Sequence, residues 1–364
     1  MSNIASISKH LPLPHTHQHT TDLFIAGTGA VGGTLVEQIR SLPDTHQFNI
    51  VGLCNSRRVL WMDTSVGKNY QNDLAKGEPK DWDTILKKLE PKNGNELIFV
   101  DATGNHDVAE LYLKLFEKGI HVVTPSKIAN TRNQIYFDLL QRSAEENDVK
   151  FKYETNVGAG LPVLRTVRDL VKSGDEITAV SGVFSGTMTY IFSQLDAGKK
   201  FSEAVLSARQ LGYAEPDPRD DLSGEDVARK MMILLRVSGK TIERGELKVE
   251  SVIPEGLKDV DAGSFLEHLS DYDSEWEKKL KDLNADGKTV RYLAVMNSSG
   301  VEVGPKVIDK DSPVARLKGT NNIIQIHTRR YNDQPLIIQG LGAGKEVTAA
   351  GVLADIRQII TAGW

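Results

Sequence analysis

The chain has 364 residues, 40% of them hydrophobic and 26% charged, enough to bury a real core and too many for one small domain, so two units are the default expectation. A net charge of −5 with Lys and Arg dispersed along the chain leaves no basic footprint for nucleic acid, and no apolar run approaches the ~18 residues that span a bilayer. Cys54 is the only cysteine, which excludes an intrachain disulfide and a cysteine-rich zinc site and suits a reducing, cytoplasmic setting.

Residues 1–20 carry His10, His15, His17 and His19 among prolines and polar residues, and read as a disordered extension rather than a metal tract. Thr21 to Ile25 is a short apolar strand that runs into Gly27, Gly29 and Gly32 and then an amphipathic stretch, Thr34 to Arg40. Strand, glycine turn and helix in that order are the context a dinucleotide site demands. The first glycine permits the tight turn, the second lets backbone approach a pyrophosphate, and the third lets helix pack on strand. Ala30 and Val31 open the helix whose free N–H groups would face the phosphates.

A second strand, Phe48 to Cys54, ends at Asn55-Ser56-Arg57-Arg58. An NAD site would carry Asp or Glu there for the ribose 2′-hydroxyl. A guanidinium suits a 2′-phosphate, so NADP is favoured, with NAD also acceptable, unless the arginines merely solvate a loop. A third strand, Leu97 to Val100, leads to Thr103, and a helix is expected from about Val108 to Lys118 before the strand ending at Val123. Alternating strands and helices predict an α/β fold with a Rossmann-type parallel sheet over residues 21–150. From Phe151 the pattern changes to a mixed α/β domain over 151–338, with strands near 177–184 and 289–296 and helices near 162–172, 202–210 and 224–237. Residues 339–364 read as a glycine turn and helix that packs back on the first domain.

The densest signal runs from Ala208 to Lys230, through Gly212, Tyr213, Glu215, Pro216, Asp217, Pro218, Asp220, Asp221, Gly224 and Asp226. It predicts an acidic loop opening a helix, capped by Ser223 with Asp226 in a capping-box relation and closed at Ser238-Gly239. Asp226 and Lys230 stand at i and i+4; from spacing alone they would be a surface ion pair worth about 0.3–0.5 kcal/mol.

The whole stretch resembles the signature of homoserine dehydrogenases, and the similarity extends over about 23–362. Val122 to Lys127 resembles a second family segment, departing at Ser126; Tyr153 to Pro162 resembles its monovalent-cation loop, Ser185-Gly186-Thr187 its substrate turn, and Gly342 to Gly351 a late turn facing the cofactor through Gly344. The nearest similarity is to the dehydrogenase portion of bifunctional aspartokinase–homoserine dehydrogenases, without a kinase portion. The resemblance implies an NAD(P)-dependent interconversion of L-homoserine and L-aspartate 4-semialdehyde by a homodimer joined through the second domain. It assigns catalysis to Lys230 and Lys127 with Asp226 orienting, and the substrate ammonium to Glu215 and Asp221 beside Gly186 and Thr187. Asn55, Ser56, Arg57, Thr103 and Lys127 join the glycines at the cofactor. Glu154 with the carbonyls of Val157, Ala159 and Leu161 would hold sodium or potassium, unless the loop is only a cap or hinge. Two neighbouring ammonium groups are expected to depress one another's pKa. Direct end-product inhibition through a regulatory module is not expected, since no segment reads as one. A catalytically silent dinucleotide sensor of the same fold is the alternative, as is a semialdehyde dehydrogenase of another kind, for which Cys54 is badly placed.

Overall fold

The structure, a computed structural model, describes residues 21–44, 47–62, 66–92 and 95–361; the His-containing extension lies outside them. The first sheet has the order β4-β3-β2-β1-β5-β6-β7. Its centre is β1 (Thr21–Ala26), buried along its whole length and paired in parallel with β2 (Phe48–Cys54) on one side and β5 (Leu97–Asp101) on the other. β6 (His121–Val123) and β7 (Phe151–Lys152) continue the parallel sheet. The continuous apolar runs of β1 and β5 follow from helices covering both faces. The strand order reverses beside β1, which opens a crevice at the strand ends where doubly wound sheets bind ligands.

Two features here escaped sequence reading. An antiparallel edge, β3 (Arg58–Trp61) and β4 (Glu78–Pro79), extends the sheet beyond β2. The single helix expected over 108–118 is two, His106–Ala109 and Tyr112–Glu117. The Leu111 N–H bonds back three residues to the Val108 carbonyl, and this tightened turn breaks the rod.

The second sheet has the order β13-β12-β8-β10-β11-β9. Its strands are β8 (Ile177–Val183), β9 (Leu247–Val249), β10 (Lys288–Asn297), β11 (Gly300–Asp309), β12 (Asn321–Thr328) and β13 (Leu336–Leu341). Pairing is antiparallel except between β9 and β11. Helices Val163–Lys172, Gly186–Asp196, Phe201–Gln210, Glu225–Val237 and Asp273–Ala285 pack against it around Phe184, Phe192, Phe201 and Tyr292.

The helix Lys345–Thr361 returns to the first sheet. Its Ala349, Val352, Leu353, Ile356 and Ile359 share one apolar cluster with Leu23, Ile25, Leu35, Val36 and Ile50. Among the described residues no helix is long and apolar enough to cross a membrane.

Candidate functional site

The glycine turn is built as its three positions require. Gly27 adopts φ +93°, and a Cβ there would lie 2.6 Å from the Ala102 carbonyl oxygen. A Cβ on Gly32 would fall 1.8 Å from the Gly27 carbonyl oxygen, so helix and turn touch backbone to backbone. At Gly29 nothing lies within 4 Å of an added Cβ; the turn leaves open space there. Helix Ala30–Arg40 starts at that point with no side-chain cap and no acidic residue in its first turn, so its N–H groups are left for an anion. This geometry fits a dinucleotide diphosphate.

The Gly27 N–H donates to the Cys54 carbonyl at 2.8 Å, which brings the Asn55-Ser56-Arg57 turn alongside. Asn55 Oδ1 accepts the N–H groups of Arg57 and Arg58 at 2.8 Å each. Arg58 donates to the Gly77 carbonyl, while the exposed Arg57 is the guanidinium left at the end of β2. Burial pushes the Cys54 thiol up to about 12, so it is an inert core group and not a nucleophile.

A cavity of about 800 Å³ separates the two domains. Val31, Thr103 and Lys127 line one wall, and Asp226, Arg229 and Met232 the other. Thr103 is fixed by Asp101, whose Oδ1 accepts its N–H and hydroxyl at 2.9 and 2.6 Å and whose Oδ2 accepts the Tyr112 hydroxyl at 2.5 Å. Lys127 follows β6, on a loop anchored by the Thr124 hydroxyl, which donates to the Asp101 carbonyl at 2.9 Å.

Asp226 stands between two ammonium groups from different domains. Its Oδ1 is 3.2 Å from Lys127 Nζ and its Oδ2 is 2.7 Å from Lys230 Nζ. Burial opposes the charge on Asp226, but the Lys230 and Lys127 ammonium groups outweigh it and hold the carboxyl well below the usual carboxylate range. Each lysine thus meets its own oxygen of one intervening carboxylate. Lys230 Nζ also donates to the Phe184 carbonyl at 2.8 Å.

The expected capping box is absent for the same reason. Helix Glu225–Val237 starts from Gly224 at φ +78°; Ser223, which closes the short helix Arg219–Leu222, still accepts the Glu225 N–H on its hydroxyl at 3.3 Å, but no bond returns from Asp226. Asp226 is spent on the lysines.

Glu215, Asp221 and Thr187 gather beside Asp226. Asp221 Oδ2 accepts the Glu215 N–H at 2.8 Å, and the Thr187 hydroxyl donates to the Tyr213 carbonyl at 2.6 Å. Burial pushes the Asp221 carboxyl up against hydrogen bonds from the Glu215 N–H and Thr187, and the charges of Glu215 and Asp226 push the same way. Such a crowded acidic corner gains from a cationic guest. Gly186 begins the adjoining helix where a Cβ would meet the Thr320 carbonyl oxygen at 2.9 Å. Asp217 is committed elsewhere, to Arg219 at 2.6 Å.

Glu154 and its loop behave differently from a bare ion site. Glu154 Oε1 accepts the Leu164 N–H at 2.8 Å and Oε2 the Arg165 N–H at 2.7 Å, capping helix Val163–Lys172. The Leu161 carbonyl accepts the Val163 N–H at 2.9 Å, and Ala159 sits at φ +52°. Burial raises the Glu154 carboxyl to about 7 despite Arg168 at 3.7 Å. Among the described residues no three His, Cys, Asp or Glu side chains form a metal cluster. Gly344, at φ +126°, opens helix Lys345–Thr361. Sequence reading missed Asp101, Arg229 and Met232. Of these only Arg229 carries a sequence signal, its i+3 spacing from Asp226 on a helix already inferred.

Comparison with known proteins gives the same picture. The chain matches the family described as "Homoserine dehydrogenase" over residues 162–357 and that described as "Homoserine dehydrogenase, NAD binding domain" over 27–154. It is 37% identical over 352 residues to a bifunctional aspartokinase/homoserine dehydrogenase of Haemophilus influenzae, covering 94% of this chain but only 43% of that protein. With a homoserine dehydrogenase of Paracoccidioides brasiliensis it is 37% identical, over 94% of this chain and 98% of the other. A hyperthermophilic archaeal homoserine dehydrogenase crystallised with NADPH superposes with a TM-score of 0.73 at 25% identity, over 94% of this chain and 98% of that one. On sequence, fold and length of match, the chain belongs to the homoserine dehydrogenase family.

Proposed function

We propose that this chain interconverts L-homoserine and L-aspartate 4-semialdehyde with a nicotinamide dinucleotide. The observation that carries the proposal is the carboxylate of Asp226 held between Lys127 and Lys230, with Asp226 and Lys127 lining a cavity that Val31 of the glycine-turn segment also lines. Gly27, Gly29, Ala30, Val31, Gly32 and Thr103 would hold the dinucleotide, which supplies or takes the hydride.

The chain's own groups handle charge and proton. Hydride addition to an aldehyde leaves an alkoxide that must be stabilised and protonated. An ammonium has three protons; Lys230 spends one on the Phe184 carbonyl and one on Asp226, and the third is free for the substrate oxygen. Asp226, held low, stays ionised and so orients the lysines without itself donating a proton. Glu215 and Asp221 supply negative charge for the substrate ammonium, with Gly186 and Thr187 lining the same corner.

Arg57 favours NADP over NAD through the 2′-phosphate. A sodium or potassium ion on the carbonyls of Val157, Ala159 and Leu161 would have to share Glu154 with two backbone N–H groups; activity measured in tetramethylammonium, sodium and potassium salts tests it. The second domain would carry a homodimer contact, supported by Ile337 and Leu341 exposed on edge strand β13 and tested by light scattering.

The direct test follows absorbance of the reduced nicotinamide with L-homoserine and each cofactor. Turnover with NADP is expected. Tight dinucleotide binding without turnover would instead mark a silent sensor.

A further inference from the structure

Lys127 and Asp226 come from different domains, yet they meet at 3.2 Å; something must hold their supports in register. The buried guanidinium of Arg236, with 0% of its side chain exposed, lies at the far end of the Asp226 helix. Ten residues of helix separate the two, about 15 Å of rigid rod.

Arg236 Nη1 donates to the Asn130 carbonyl at 2.9 Å and the Arg132 carbonyl at 2.6 Å. These two carbonyls flank Thr131, whose N–H and hydroxyl both donate to the Lys127 carbonyl, at 3.0 and 2.9 Å. The remaining Arg236 donors, Nε and Nη2, reach the Ile242 carbonyl at 3.2 and 2.9 Å, and Nη2 also donates to the Glu243 carboxylate at 3.3 Å. Asn130 completes the clamp: its Nδ2 donates to Asn156 Oδ1 at 2.9 Å, and Asn156 Nδ2 donates to the Thr124 carbonyl at 3.0 Å. All three side-chain members are buried. The segment carrying Lys127 is thus gripped from the catalytic helix on one side and from the 154–156 turn on the other.

We propose that Arg236 is a positioning residue that sets Lys127 against Asp226, so that the two lysines from separate domains face one substrate atom. The proposal rests on the reading of Lys127 as a substrate-facing ammonium. Lysine at 236 keeps the charge but cannot reach carbonyls on two sides with a planar fork. A misplacement of ~1 Å at the reacting groups costs about 10²-fold in rate.

The test is a double-mutant cycle in homoserine oxidation, using Arg236→Lys, Lys127→Ala and the pair. Arg236→Lys is expected to lower kcat about 10²-fold with KM for homoserine and NADP little changed. If Arg236 acts through Lys127, the double variant has the kcat of Lys127→Ala alone. A merely structural role gives multiplied losses, and that result overturns the proposal, as does wild-type kcat in Arg236→Lys. If Arg236→Lys fails to fold, Asn130→Ala, which keeps the gripped carbonyl and removes the link to Asn156, is run through the same cycle with the same two outcomes. Should Lys127→Ala alone keep wild-type kcat, the functional reading of Lys127 falls first and the proposal with it, a result distinct from multiplied losses.

Discussion

Replacing Asp226 probes the site at its electrostatic centre, and two substitutions there should rank in a definite order. The carboxylate makes one charged contact to Lys230 at 2.7 Å and one to Lys127 at 3.2 Å. A hydrogen bond to a charged group contributes about 1.5–3 kcal/mol. With 44% of the Asp226 side chain open to the cavity, solvent screening argues for the lower end. Asparagine keeps one acceptor oxygen and so one of the contacts; losing the other, at about 1.5 kcal/mol, lowers kcat about 10-fold. Alanine loses both, about 3 kcal/mol or roughly 100-fold. The assay is homoserine oxidation followed by absorbance of the reduced nicotinamide, with NADPH binding measured separately by fluorescence and expected to change little. If both variants turned over within two-fold of wild type, or if asparagine cost more than alanine, the bridging role would be wrong.

Gly32→Ala places a Cβ 1.8 Å from a backbone oxygen that cannot yield, so NADPH affinity should fall by about 5- to 150-fold, the equivalent of 1–3 kcal/mol of overpacking; titration within two-fold of wild type would contradict the reading of the turn. Arg57→Asp should raise the KM for NADP by at least about 10-fold and leave that for NAD nearly unchanged, and an unaltered ratio of the two would remove Arg57 from the cofactor site. Glu215→Gln should raise the homoserine KM about 10-fold without affecting NADPH binding; the reverse pattern would reassign that corner. Ending the chain before Lys345 strips Val352, Leu353, Ile356 and Ile359 from the first domain, at about 1.5–3 kcal/mol each. That total rivals a domain's whole stability of about 5–15 kcal/mol, so the shortened chain should show no cooperative unfolding transition by circular dichroism, and a transition near that of the full chain would refute this.

What the sequence disclosed and what it concealed divide along a physical line. The turn at Gly27, Gly29 and Gly32 was legible because steric rules act locally, and β2 because Phe48–Cys54 is apolar between polar flanks. The Asp226–Lys230 pair was legible from helical spacing, although only the resemblance gave it chemistry. Four of the six strands of the second sheet were not foreseen. β11 buries residues in no regular alternation, and β13 alternates in burial but fills exposed positions with the apolar Ile337 and Leu341, so neither shows in its sequence the polar–apolar period of 2 that marks a strand. The break at Leu111 is a local three-residue turn that the apolar pattern does not encode, and the cap at Gly224 is set by a tertiary contact, since a Cβ there would lie 1.8 Å from the Tyr292 hydroxyl. Arg236 was invisible for the opposite reason: its partners are carbonyls 104 and 106 residues away, and any residue type presents a carbonyl.

The proposed chemistry lies on the seam between domains because neither domain alone has the groups for it. The first offers the glycine turn, Thr103 and Lys127; the second offers Asp226, Lys230, Glu215 and Asp221. A site on a seam depends on the register of its two domains, and domains joined by a flexible link drift relative to one another. This fold limits the drift by making connections cross. Asp355, on the helix that completes the first domain's core, accepts the Glu154 N–H at 2.9 Å, while the Glu154 carboxylate caps a helix of the second domain. Gly351 is packed so closely on this turn that a Cβ there would lie 2.5 Å from Thr155, and a Cβ on Gly160 would lie 2.6 Å from the Val347 carbonyl oxygen of the last helix. The hinge is therefore held from both sides by buried polar contacts, and Arg236 braces the far side of the cavity in the same manner. Alignment of Lys127 with Asp226 then follows from how the two domains are fastened together, and not from the lysine's own attraction, which solvent in an open cavity would weaken.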